Sequence, residues 1–198
     1  MKRNVMKPVS SRLLTVGFAA ALGLVTFGTV QATQTAQDSG HNVALAANGA
    51  VATVSSAGFG DTDFSSAGKL IDGTRTGIDS YWTDDTIDEF PDVAQINFFG
   101  PKTIDRVVVY SVQEEANLFG GIEPTDTDNC FVYVLADFTV EGWNGRDWVT
   151  LATVTDNDLC KRTLTFPPFR TDQIRINVTA TGGWSFTRIA EVEVFGAE

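Results

Sequence analysis

Beyond residue 40 the apolar positions fall in short clusters: 51–54, 93–99, 104–112, 131–143, 148–154, 163–166, 174–178 and 189–195. They are rich in β-branched and aromatic residues and are separated by Gly, Pro, Asn and Asp, the punctuation of antiparallel strands. No long stripe of period 3.6 occurs after the first 32 residues, so helices are not expected to build the core. The pattern predicts an all-β domain, a sandwich or a barrel. Two segments say more. Ile189-Ala190-Glu191-Val192-Glu193-Val194-Phe195 alternates, which predicts a strand with one face buried and the other wet. Between Val140 and Val149, the Asn144-Gly145 pair predicts a hairpin closed by a type I′ turn.

The amino terminus follows a different rule. Lys2, Arg3, Lys7 and Arg12 precede an uncharged apolar stretch over 13–30, and Val30-Gln31-Ala32 supplies small residues at the -3 and -1 positions of a cleavage site. This is the layout of a secretory signal, with cleavage expected after Ala32. A retained membrane anchor is the alternative reading of the same stretch. Residues 33–41 are small and polar and read as a flexible leader, leaving 42–198 as one domain. The mature chain is therefore expected outside the cytoplasm, extracellular or periplasmic.

Charge narrows the partners. The chain carries 14 Lys and Arg against 25 Asp and Glu, a net charge of -11. Four of the bases lie in the first 32 residues, so the mature chain is more acidic still. Such a surface repels phosphate backbones and anionic headgroups, which argues against nucleic acid and anionic membranes as partners. One His and two Cys leave little for a His-based triad or a soft-metal cage. In an oxidising compartment Cys130 and Cys160 are expected to pair, with two separate thiols as the alternative.

The most informative stretch is Lys69-Leu70-Ile71-Asp72-Gly73-Thr74-Arg75-Thr76-Gly77, followed by Ser80-Tyr81-Trp82-Thr83. An acid before Gly in a tight turn brings a carboxylate and several carbonyls toward one point, which suits a hard cation such as calcium. The same residues also suit a plain turn in which Asp72 accepts from local amides. Two further acidic groups, Asp84, Asp85, Asp88, Glu89 and Asp92, then Asp126, Asp128 and Asn129, read either as a second cation site or as solvated faces.

With these residues in view, the chain resembles the discoidin domains, the coagulation factor V/VIII type C domains. They belong to the galactose-binding-like superfamily, which includes the family-32 carbohydrate-binding modules. The resemblance rests on Asn42-Val43-Ala44-Leu45, Ile71-Asp72-Gly73, Tyr81-Trp82, Thr103 through Tyr110, the Trp143/Trp148 hairpin and Arg188 through Gly196. It implies an antiparallel jelly-roll β-sandwich of about eight strands. It also implies a structural calcium ion, held by carbonyls of Lys69, Thr74 and Ala190, carboxylates of Asp72 and Glu191, and the hydroxyl and carbonyl of Thr83. Tyr81 and Trp82 are expected in the core.

Family members bind sugars with loops at one tip of the sandwich. The corresponding loops here offer Phe90, Phe119, Trp184 and Phe186, and a Trp in Gly182-Gly183-Trp184-Ser185-Phe186 suits stacking on a sugar ring. The same aromatics could instead plug the end of the sandwich. The sequence lacks G-x-S-x-G, H-E-x-x-H, C-x-x-C and phosphate-loop motifs. The expectation is a secreted, calcium-stabilised, lectin-like module without catalysis, with carbohydrate or glycoconjugate as partner. The alternative is an adhesive or structural envelope protein that uses the fold to contact surface proteins.

Overall fold

The computed structural model describes residues 40–58, 65–76, 80–113 and 122–196. Contacts divide the chain after Gln37, and everything below concerns the unit Asp38–Glu198. The expected signal segment, most of the expected leader and Phe119 lie outside the described residues. Among the described residues, no helix is long and apolar enough to cross a membrane.

Among the described residues, seven strands carry the fold: β1 Val51–Val54, β2 Trp82–Thr83, β3 Asp92–Ser111, β4 Leu135–Trp143, β5 Trp148–Val154, β6 Lys161–Thr181 and β7 Arg188–Gly196. They form one antiparallel hydrogen-bonded network in the order β2-β7-β3-β6-β4-β5, with β1 pairing the first part of β3 opposite β6. The two longest strands explain how one network makes two layers. The first part of β3 pairs with β1 and the end of β6, whereas its second part pairs with β7 and the start of β6. The register of β3 against β6 breaks between Asn97 and Lys102, around Gly100 with its φ of 75°. Each long strand thus bends from one layer into the other, and the 93–99 and 104–112 clusters are halves of a single strand. So are 163–166 and 174–178.

The inward residues of both layers meet in one core. Ala94, Ile96, Ile174, Ile176, Phe138 and Val140 from one layer pack with Val107, Val109, Val192 and Val194 from the other, closed by Trp82 and Leu70. Trp82 is fully buried, as the resemblance implies, whereas Tyr81, expected in the core with it, is only half-buried and flanks a second cluster.

Three local expectations are corrected. β4 starts at Leu135, and the apolar run 131–134 is loop, held by the Cys130–Cys160 disulfide and by hydrogen bonds from Gly182 and Gly183. At the hairpin, Trp143 pairs with Trp148 across four residues, and only Gly145 has positive φ. Asn144 holds that turn with its side chain, which accepts the amides of Arg146 and Asp147 at 2.9 Å each. Finally, β7 is buried on both faces, including Glu191 and Glu193. Its outer face lies under a second cluster of Val108, Tyr110, Val112, Ala190 and Phe195, flanked by Tyr81 and Tyr133.

Candidate functional site

Two places deserve description: the turn beneath β7 and the loops at the tip of the sandwich. The first begins with a single turn of 3₁₀ helix, Ala67–Ile71, which buries Leu70 and Ile71 in the core. Burial of that pair fixes where Asp72 and Gly73 emerge. Gly73 has φ 89°, the left-handed conformation that ends such turns and that glycine adopts without strain. Its amide donates to Oε2 of Glu191 at 3.1 Å. Asp72 accepts the Thr74 amide on Oδ1 at 2.8 Å and the Ser80 hydroxyl on Oδ2, and Lys69 Nζ lies 3.9 Å from Oδ2. Asp72 therefore makes the local turn bond and faces the Glu191 strand as well.

Glu191 is 0 % exposed, and its Oε1 has no hydrogen-bond partner. Burial, reinforced by the charges of Asp72 and Glu193, pushes its pKa up to about 9 against the opposing Gly73 hydrogen bond. A buried carboxylate with one amide partner is costly if ionised and bare. The arrangement relieves that cost in either of two ways: a proton on Glu191, or a hard cation shared with Asp72. The donor set is oxygen throughout. Among the described residues no three His, Cys, Asp or Glu side chains converge, so a cation here would depend on two carboxylates plus neutral oxygens.

Of the residues carried over by resemblance, the structure brings Asp72, Glu191 and the Lys69–Thr74 turn together, with Ala190 beside Glu191 on β7. Thr83 does not join them. Its amide and carbonyl are engaged by the Ser65 hydroxyl at 3.2 Å each, and its own hydroxyl faces the Asp84 carbonyl. Ser80 is the hydroxyl beside Asp72.

A second fastening lies one turn along. Arg75 donates from Nε to Glu193 Oε1 at 2.7 Å and pairs with Glu123, while the Tyr110 hydroxyl donates to Glu193 Oε2 at 2.9 Å. The 69–75 segment is thus tied to β7 at Glu191 and again at Glu193.

At the tip, Cys130 and Cys160 are joined, with Cα atoms 5.0 Å apart. Amides on either side lock the same two loops, Cys130 to the Asp158 carbonyl and Cys160 to that of Asp128, each at 2.8 Å. The neighbouring loop 182–187 docks on 131–134. A Cβ on Gly182 would lie 2.6 Å from the Phe131 carbonyl oxygen and from Val134, so only glycine permits this approach. Trp184 is held 44 % exposed, its ring edge-on to Tyr133 at 6.0 Å. Beneath them the Arg188 guanidinium sits 4.3 Å from the Tyr133 ring, 5.6 Å from Tyr81 and 5.7 Å from Trp184. Phe186 is half-buried, and Phe90 packs against the core. Among the described residues, Trp184 is the one expected tip aromatic that stays open, while Phe131, 70 % exposed on the facing loop, was not anticipated. Tyr133 and Arg188 were also missed, because nothing in their local pattern distinguishes a ring or guanidinium stacked across loops.

The remaining acidic groups separate. Asp126 and Asp128 are occupied by Lys161, Thr163 and Thr125. Asp85 and Glu89 are exposed. Asp84 and Asp92 are buried.

Solved structures sharing this architecture include carbohydrate-binding modules. A Clostridium perfringens family-32 module in complex with GalNAc-β-1,3-galactose superposes with a TM-score of 0.59 at 16% identity, covering 79% of this chain and 100% of that one. Chitosan-binding module 1 of a Paenibacillus chitosanase/glucanase gives 0.58 at 22% identity, over 79% and 99%. The family-32 module of C. perfringens NanJ, in complex with galactose, gives 0.53 at 20% identity, over 74% and 93%. No curated protein sequence matches the chain significantly. The model of the F5/F8 type C family, described as the NedA-like galactose-binding domain, matches residues 69–176, and the chain belongs to that family.

Proposed function

We propose that this protein is a secreted carbohydrate-binding module, stabilised by calcium and without catalytic activity. One observation carries the reading: Trp184 stands open at the tip on a loop that two glycines and the neighbouring loop hold in place. An exposed ring with edge-on and cationic support from Tyr133 and Arg188 loses little entropy on binding and offers a face to the apolar side of a pyranose. The sugars bound by the structural neighbours, galactose, GalNAc-β-1,3-galactose and chitotriose, support a saccharide as ligand. In this reading calcium neutralises Asp72 and Glu191, which hold it with the carbonyls of the 69–74 turn and of Ala190. Its role is to pin that turn to β7. The test is calorimetric titration of the protein with each of the three sugars, in calcium and in chelator. Binding lost in Trp184→Ala supports the reading, and heats indistinguishable from dilution for all three count against it.

A second reading has its own observation. Phe131 is exposed beside the same loop, and an apolar pair of this kind also suits a protein partner on a cell surface. Retention of partner binding in the presence of saturating sugar would favour it.

A further inference from the structure

Asp84 and Asp92 form a second buried acidic pair, well removed in sequence from Asp72 and Glu191. They are 1 % and 3 % exposed, and both are fastened to Thr187. The Asp84 amide donates to the Thr187 carbonyl at 3.1 Å, and the Thr187 hydroxyl donates to Asp92 Oδ2 at 2.6 Å. Asp84 Oδ2 accepts the amide and hydroxyl of Thr86, both at 2.9 Å. Its other oxygen, Oδ1, is buried with no partner at all. Neither acid has an ion pair to any Lys, Arg or His among the described residues. Burial, and then the charge of Asp84, holds the Asp92 carboxyl up at about 6. A cleft of about 260 Å³ reaches Asp92 from solvent, bordered by Ser56, Thr86 and Glu89.

We infer that Asp84 and Asp92 are the charged ligands of a second cation site, one that takes a calcium-sized divalent ion. Buried carboxylates without counter-charge, a threonine hydroxyl on each and an open approach to Asp92 suit such an ion, and the oxygen-only donor set excludes the softer metals. The ion would tie the 84–92 loop to Thr187 at the start of β7. This site is independent of the carbohydrate reading and of the Glu191 site.

The experiment is calcium titration of the full chain by calorimetry near pH 7.5, with Glu191→Gln, Asp84→Asn and Asp92→Asn alongside the parent, folding being checked by tryptophan fluorescence. The expected result is that E191Q still binds calcium and that D84N and D92N each lose one equivalent relative to the parent. A parent that binds one ion, kept in E191Q and lost in D92N, would support this site while overturning the Glu191 one. A folded E191Q protein that binds no calcium overturns the inference and leaves the pair sharing a proton. That comparison stands even if the Asp variants fail to fold.

Discussion

Gly73 and Glu191 are 118 residues apart, and the glycine amide donates to the glutamate carboxylate at 3.1 Å. That single bond leaves the other carboxylate oxygen bare in the interior. In the absence of a cation, the group is held in its neutral form up to about pH 9. The folded state then binds a proton that the unfolded chain has already released, so stability falls as pH rises from the unfolded carboxylate range to about 9. In chelator, between pH 6.5 and 9, the parent should lose up to about 1.4 kcal/mol per pH unit from this group. Glu191→Gln should remove that slope, measured as the difference between parent and variant urea midpoints. An unchanged slope in E191Q contradicts the assignment.

Arg75 is half-buried against Glu193, which is buried and also receives Tyr110. Arg75→Ala would strand that carboxylate. Loss of one partner of a buried pair costs about 3 kcal/mol, and the partial exposure of Arg75 brings the expectation down to about 2 kcal/mol. The double variant R75A/E193Q should recover part of the loss. Denaturant titrations of the three variants check this, and additive costs would contradict the pairing.

Gly182→Ala should destabilise by about 1–3 kcal/mol, because the new Cβ meets a backbone carbonyl and Val134 at 2.6 Å. Gly145→Ala faces open space and pays only for its φ of 97°, about 1 kcal/mol. The ranking can be read from two melting curves. A G182A cost below that of G145A would contradict the close approach of the two tip loops.

Reduction of Cys130–Cys160, or its replacement by two serines, should cost about 3 kcal/mol on the chain-entropy account of a 30-residue separation. Denaturation with and without reductant measures it. The effect should concentrate on loops 122–134 and 155–160, seen as faster amide exchange there, and uniform exchange across the domain would contradict it.

How much of this was legible in sequence depended on the range of the forces involved. β1 and β5 could be bounded to the residue, because alternation flanked by polar turns is local information. The all-β architecture followed the same way, whereas Trp82 in the core came with the family resemblance. Residues 131–134 look like strand and are loop, because a disulfide and two glycine amides recruit them instead of a neighbouring strand. Glu191 and Glu193 alternate like a wet face and are buried, because Arg75, Tyr110 and Gly73 come from distant chain to cover them. The Asp72–Glu191 juxtaposition came only with the family resemblance. The substitution of Ser80 for Thr83, and the stacking of Arg188 on Tyr133, depend on loop paths that no local pattern encodes.

The central claim is that the tip binds saccharide through Trp184. The ring is 44 % exposed and rests on Tyr133 and Arg188, so Trp184→Ala should cost about 1 kcal/mol of stability and weaken binding by about 2 kcal/mol, some thirtyfold in Kd. The most direct measurement is a glycan-array screen of the protein, displayed multivalently, beside the W184A variant and with calcium or chelator in the buffer. The account predicts binding to a defined glycan class in calcium, weakened in chelator and weakened about thirtyfold in W184A. Folded parent protein that binds no glycan in either buffer, or that binds equally well without Trp184, would contradict it.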